Sequence, residues 1–170
     1  SVSAVEKEDR NMRKIEESLR EFFEHEHWSY DYYEEKGYFR SGVDLENILG
    51  NVNLYIIVGE TDYQVYSVLN LKVEPDRFAA VSEFITRANY GLRNGNFELD
   101  YADGEVRYKV YITSEFGDIP ENIVRDSIYT GIYMIERYGR ALLRLILIGG
   151  DPAAYIQSIE NPEGNHLDFG

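Results

Sequence analysis

The sequence predicts an α+β domain: a twisted antiparallel sheet of about five strands packed by helices, in the order αβββαββαα. Three observations carry the prediction. Segments near both ends, residues 5–26 and 120–148, place apolar side chains three and four apart, the period of a helix. Residues 63–73 and 105–113 alternate with period two, the period of a strand. The turns between strands are short, Asp103-Gly104 above all, and short turns join antiparallel neighbours. The 170 residues are read as one domain, with an N-terminal helix and connector over 1–36, a core over 37–160 and a tail over 161–170.

In the first helix, Met12, Ile15, Leu19, Phe22 and Phe23 form one narrow stripe. Charges of both signs fill the rest, with Glu16 and Arg20 at i,i+4 supporting an exposed face. Residues 27–38 are aromatic and acidic, end near Gly37, and are expected to form a connector. A weak strand over 38–45 is interrupted by Gly42, and 51–58 ends in the run Leu54, Tyr55, Ile56, Ile57, Val58. Residues 63–73 set Tyr63, Val65, Ser67, Leu69, Leu71 and Val73 on one face and Gln64, Tyr66, Val68, Asn70 and Lys72 on the other. Because the second face is also partly apolar, this strand is expected to be central or covered on both sides.

Pro75 opens a second helix, where its missing N–H costs nothing, and Phe78, Val81, Phe84, Ile85 and Ala88 form the stripe. Asn89-Tyr90-Gly91 stops it. Strands over 96–102 and 105–113 follow, with Phe97 and Tyr108 expected to pair across the hairpin. Pro120 starts the long helix, Gly139 is expected to bend it, and Gly149-Gly150-Asp151-Pro152 ends it before a short helix over 152–160. Six apolar residues between Leu142 and Ile148 sweep nearly the whole helical circumference. Another element or a second copy of the chain must cover part of them.

Composition narrows the function. Seventeen basic against 31 acidic residues give a net charge of −14, which argues against nucleic-acid binding and against docking on anionic lipid. Cysteine is absent, so disulfides, thiolate metal sites and cysteine nucleophiles are excluded. The first 36 residues hold 6 basic and 11 acidic side chains and no apolar signal-like run, and the most apolar stretch, 142–150, is far shorter than the ~20 residues of a membrane span. A cytoplasmic protein is expected.

Local motifs for chemistry are missing. His25-Glu26-His27 is the one histidine cluster, but residues two apart on a helix point to different faces, and His166 lies in the tail. Asp100, Asp103 and Glu105 flank a hairpin, where Asp-Gly is turn chemistry. No phosphate-cradling glycine loop and no nucleophile elbow occurs. No catalytic residue, metal or cofactor is expected; the alternative is a hydrolase using scattered carboxylates in a sheet-side pocket. The tyrosines stand out, 15 in all, with Tyr30, Tyr32, Tyr33 and Tyr38 gathered around Trp28. Tyrosine suits interfaces because it offers apolar area and a polar tip. The candidate partner-binding residues are therefore Trp28, Tyr30, Tyr32 and Tyr33, with Arg87 and Arg107. The two arginines are read as pairing preferentially with internal carboxylates such as Glu98 or Asp100. A connector packed half-buried on the sheet explains the tyrosines equally well.

The central block carries a resemblance. Val73-x-Pro75, Phe84, Arg87-Ala88-Asn89-Tyr90-Gly91, Gly95-x-Phe97-Glu98-x-Asp100 and Asp103-Gly104-Glu105-Val106-Arg107-Tyr108 together resemble the YbjN family, as does the Pro152-Ala153-Ala154 segment. The likeness covers roughly residues 15–160. It implies a bacterial sensory transduction regulator or chaperone-like adaptor with no established reaction. It also implies a fold like that of class I type III secretion chaperones, commonly a dimer. It supplies no catalytic residue. A homodimer is expected, together with a protein client or signalling partner.

Overall fold

A computed structural model describes residues 2–115 and 118–162. Helix α1 (Ala4–His25) begins at a reciprocal cap: Ser3 Oγ accepts from the Glu6 amide at 3.2 Å, and Glu6 accepts from the Ser3 amide at 3.0 Å. The strands are β1 (Asp31–Tyr33), β2 (Tyr38–Asp44), β3 (Asn51–Val58), β4 (Asp62–Val68), β5 (Asn96–Leu99) and β6 (Val106–Thr113). Helix α2 (Phe78–Asn89) precedes β5, and α3 (Glu121–Ile148) and α4 (Pro152–Glu160) close the described chain.

Among the described residues the six strands form one antiparallel sheet in the order β1-β2-β3-β4-β6-β5. The expected count of five is corrected to six, because Asp31–Tyr33 adds an edge strand where a connector was expected. The strand expected over 63–73 ends at Val68. Its neighbour β6 begins at Val106, so beyond Val68 only isolated bonds remain, from the Leu69 amide to Val106 and from the Val73 amide to Gly104. Gly104 sits at φ 79° with its backbone against Val73, leaving no room for a β-carbon.

The helices cover one face. Phe39, Val52, Leu54, Ile56, Val65, Phe97, Tyr108 and Val110 point into a continuous core shared with Phe22, Phe23, Phe84, Tyr138 and Leu142. Phe97 and Tyr108 are cross-strand partners, edge to face at 4.9 Å, as expected. Helix α3 lies close on β4 because its inward residues are small: Gly131 rests on Ser67, and Ser127 Oγ is 2.8 Å from the buried Tyr63 hydroxyl. Burial pushes the Tyr63 phenol up to about 12. Gly139 falls inside one uninterrupted helix, where it makes room for Leu49. Leu142, Leu145 and Ile146 are buried within this single chain, while Leu147 and Ile148 stay 61% and 66% exposed. The final helix contributes the buried Ile156 to the same core, and Arg77 Nε donates to the Ile146 carbonyl at 3.3 Å.

Candidate interaction face

No described helix lies on the other side of the sheet, and its residues follow from strand alternation. In a strand, neighbours point to opposite faces. With Phe39, Ile56, Val65 and Tyr108 turned inward, Tyr38, Tyr55, Tyr66 and Arg107 must turn outward. The register then lines them up across the strands. Tyr33 pairs with Tyr38 and stacks on it at 4.7 Å. Tyr38 meets Tyr55 at 6.3 Å, and Tyr55 lies directly opposite Tyr66. The Arg107 guanidinium sits 4.0 Å over the Tyr66 ring. Glu98 on β5 completes the row, accepting from Arg107 at 2.8 Å and Lys109 at 2.7 Å. An aromatic and cationic row therefore crosses the sheet from one edge to the other.

The row borders an open groove of about 500 Å³ lined by Tyr55, Ile57, Tyr66, Val68, Leu71 and Arg107. Ile57 is 45% exposed in its floor. The Arg40 guanidinium lies 5.9 Å from the Tyr55 ring centre. Planar guanidinium over aromatic rings keeps charge at the surface without burying it.

The residues nominated from sequence divide between the two faces. Tyr33 and Arg107 both belong to the open row, at opposite ends. Trp28, Tyr30 and Tyr32 do not. Trp28 packs between Phe22 and Tyr129 at 5.6 Å from each, Tyr30 stacks on Phe23 at 4.9 Å, and Tyr32 packs on Phe39 at 4.5 Å. Tyr32 also donates to Glu16, and burial with that bond raises its phenol well above the ordinary value. Tyr32 and Tyr33 are adjacent in one strand, so they cannot share a face. Arg87 is on α2, bonded to Glu83 at 3.2 Å. Arg107 has the internal pairing expected of it, with Glu98. Tyr55, Ile57 and Tyr66 were not nominated. The signal for Tyr66 was the partly apolar second face of residues 63–73, and the signal for Tyr55 and Ile57 was the unbroken apolar run 54–58, which leaves apolar side chains on both faces of its strand.

The carboxylates beside the row are held by cations. Glu98, Asp100 and Glu105 share a rim groove of about 360 Å³ beside Arg107. Burial works against the Glu98 charge, yet the bonds from Lys109 and Arg107 hold its carboxyl below the ordinary value. A general acid needs the opposite shift. Among the described residues no group of three or more histidines and carboxylates converges as a metal cluster. The His25 ring bonds Glu121 at 2.8 Å, and His166 lies outside the described residues. No described helix is long and apolar enough to cross a membrane.

Residues 16–144 match a family model described as "Putative bacterial sensory transduction regulator". No curated protein and no solved structure matches the chain.

Proposed function

The chain belongs to the YbjN family, and from that premise we propose that it is a regulator that works by binding another protein through the open face of its sheet, with no chemistry of its own. The observation that carries this reading is the continuous row Tyr33, Tyr38, Tyr55, Tyr66 and Arg107 on a face that no described helix covers. Tyrosine and arginine are among the residues that concentrate binding energy in protein interfaces, tyrosine because it buries large area at low entropic cost and arginine because its planar guanidinium stacks and donates several hydrogen bonds. The rings are already held by stacking and by Arg107, so little further ordering is needed on binding. The finer reading is an adaptor of the chaperone-like kind, acting in the bacterial cytoplasm. The experiment is titration of an identified partner against Tyr55→Ala and Ile57→Ala. A loss of about tenfold or more with the fold intact supports the reading. Full affinity in both variants contradicts it.

A homodimer is the second reading. Leu147 and Ile148 at the end of α3 give a second copy apolar surface to cover. A dimeric mass by light scattering that falls to the monomer in Leu147→Asp supports it. A monomeric mass for the unaltered protein contradicts it.

A further inference from the structure

The outer face of α3 carries a second surface that the sheet does not use. Measured at about 100° per residue, Tyr133, Arg137, Arg140, Arg144, Leu147 and Ile148 fall within an arc of about 100°. All six are exposed. They form a ridge about 22 Å long, at 1.5 Å rise per residue, with a tyrosine at one end, three arginines in the middle and two aliphatic residues at the other. In a chain with 31 acidic residues, none of these arginines is in an ion pair with any described residue. Glu136 stands one turn before Arg140, at the spacing for a helical ion pair, and does not pair with it. The Arg137 guanidinium lies instead 5.2 Å from the Tyr138 ring centre.

We propose that this ridge docks an acidic, amphipathic segment of a partner protein, its carboxylates on Arg137, Arg140 and Arg144 and an apolar residue on Leu147 and Ile148. Charge complementarity selects this occupant. Three aligned cations want carboxylates spaced by about one helical turn, and the aliphatic end wants an apolar side chain. A second copy laid antiparallel along the whole ridge would set arginine against arginine, Arg137 near Arg144 and Arg140 near Arg140, so the twofold contact of the second reading reaches only Leu147 and Ile148. A membrane or nucleic acid is an extended anion, and it would also meet Asp126, exposed on the same side of the helix two turns before Tyr133. A short acidic segment avoids it.

The test is fluorescence anisotropy with a labelled helical peptide of about 18 residues, built of Glu, Leu and Ala with Glu at every fourth position. The unaltered full chain is expected to bind it, more weakly as salt rises. The triple variant Arg137→Gln, Arg140→Gln, Arg144→Gln is expected to lose about tenfold in affinity while circular dichroism shows the fold intact. Arg93→Gln, at an exposed arginine between α2 and β5, is expected to leave the affinity unchanged. If the triple variant fails to fold, Arg140→Glu alone is compared with the unaltered chain, and a loss is again expected. Equal affinity in the arginine variants overturns the proposal, as does no binding to the peptide. Binding to phosphatidylglycerol vesicles or to a single-stranded oligonucleotide at least as tight as to the peptide overturns it too.

Discussion

The Asn89 carboxamide takes the place of a missing strand beside Phe97. Its Oδ1 accepts from the Phe97 amide at 2.7 Å and its Nδ2 donates to the Phe97 carbonyl at 3.0 Å. Strand β5 is the edge of the sheet, and an edge strand presents unpaired backbone groups to other chains. One side chain at the end of α2 fills both positions and ties the helix to the sheet. With β1 only three residues long at the other edge, the sheet is protected at both sides and offers its face instead.

Asn89→Ala therefore leaves the Phe97 amide without its partner, while the Phe97 carbonyl keeps only Asn96 Nδ2 at 3.2 Å. The expected cost is about 1–3 kcal/mol in urea unfolding. Asn89→Asp keeps an acceptor but sets an anion against the Phe97 carbonyl, so it is expected to be no better than alanine. Unchanged stability in both variants would show that the edge is held by something else.

Ser67 Oγ is buried under α3 without a hydrogen-bond partner among the described residues, and a β-carbon on Gly131 would overlap it. Ser67→Ala is expected to raise stability by about 1 kcal/mol, since it removes an unsatisfied hydroxyl. Gly131→Ala alone is expected to lower stability by about 1–2 kcal/mol, its overlap outweighing the better helix propensity of alanine. Combining the two should recover part of the loss, a coupling that a double-mutant cycle by urea unfolding reads directly.

His25 and Glu121 join α1 to the start of α3, and each shifts the other. The hydrogen bond and charge of Glu121 raise His25 above its ordinary 6.5, with Glu21 and Glu24 adding to the effect. The same bond lowers Glu121 below its ordinary 4.5, helped by Arg125. The histidine's contribution is full below 6.5 and is lost as pH rises through its raised value. The carboxylate's contribution is present above 4.5 and is lost as pH falls through its lowered value. The pair thus acts most strongly between those two limits, weakly because both side chains are exposed. Proton NMR titration is expected to place His25 above 6.5 and to show it falling in Glu121→Gln. Identical titration curves would contradict the pairing.

Much of the fold was legible in the chain because it rests on local signals. Pro120 immediately precedes α3, Pro75 opens the 3-10 turn Pro75–Arg77 that leads into α2, and period-two alternation found β4 and β6. The strand β1 was not legible. Three residues, Asp31 to Tyr33, are too few to show alternation, and they are a strand only because β2 pairs with them. The site was legible in part for the same reason. The cluster Tyr30, Tyr32, Tyr33 and Tyr38 looks like one patch along the sequence, but the pleat divides it between the core side and the open side. Tyr55 and Tyr66 are eleven residues apart and become neighbours only through the β3–β4 register. The apolar run from Leu142 was legible as surface needing cover. That much of the cover comes from α4 and Arg77 in the same chain depended on how the last turn folds back.

The most direct test of binding through the sheet is photo-crosslinking in the native cell, with p-benzoylphenylalanine placed singly at Tyr55, Ile57 or Tyr90. The first two positions lie on the open face, and Tyr90 is exposed at the far end of α2. The account predicts one defined protein adduct from positions 55 and 57, reproduced with that partner purified, and none from position 90. Adducts to the partner from position 90 alone would contradict it.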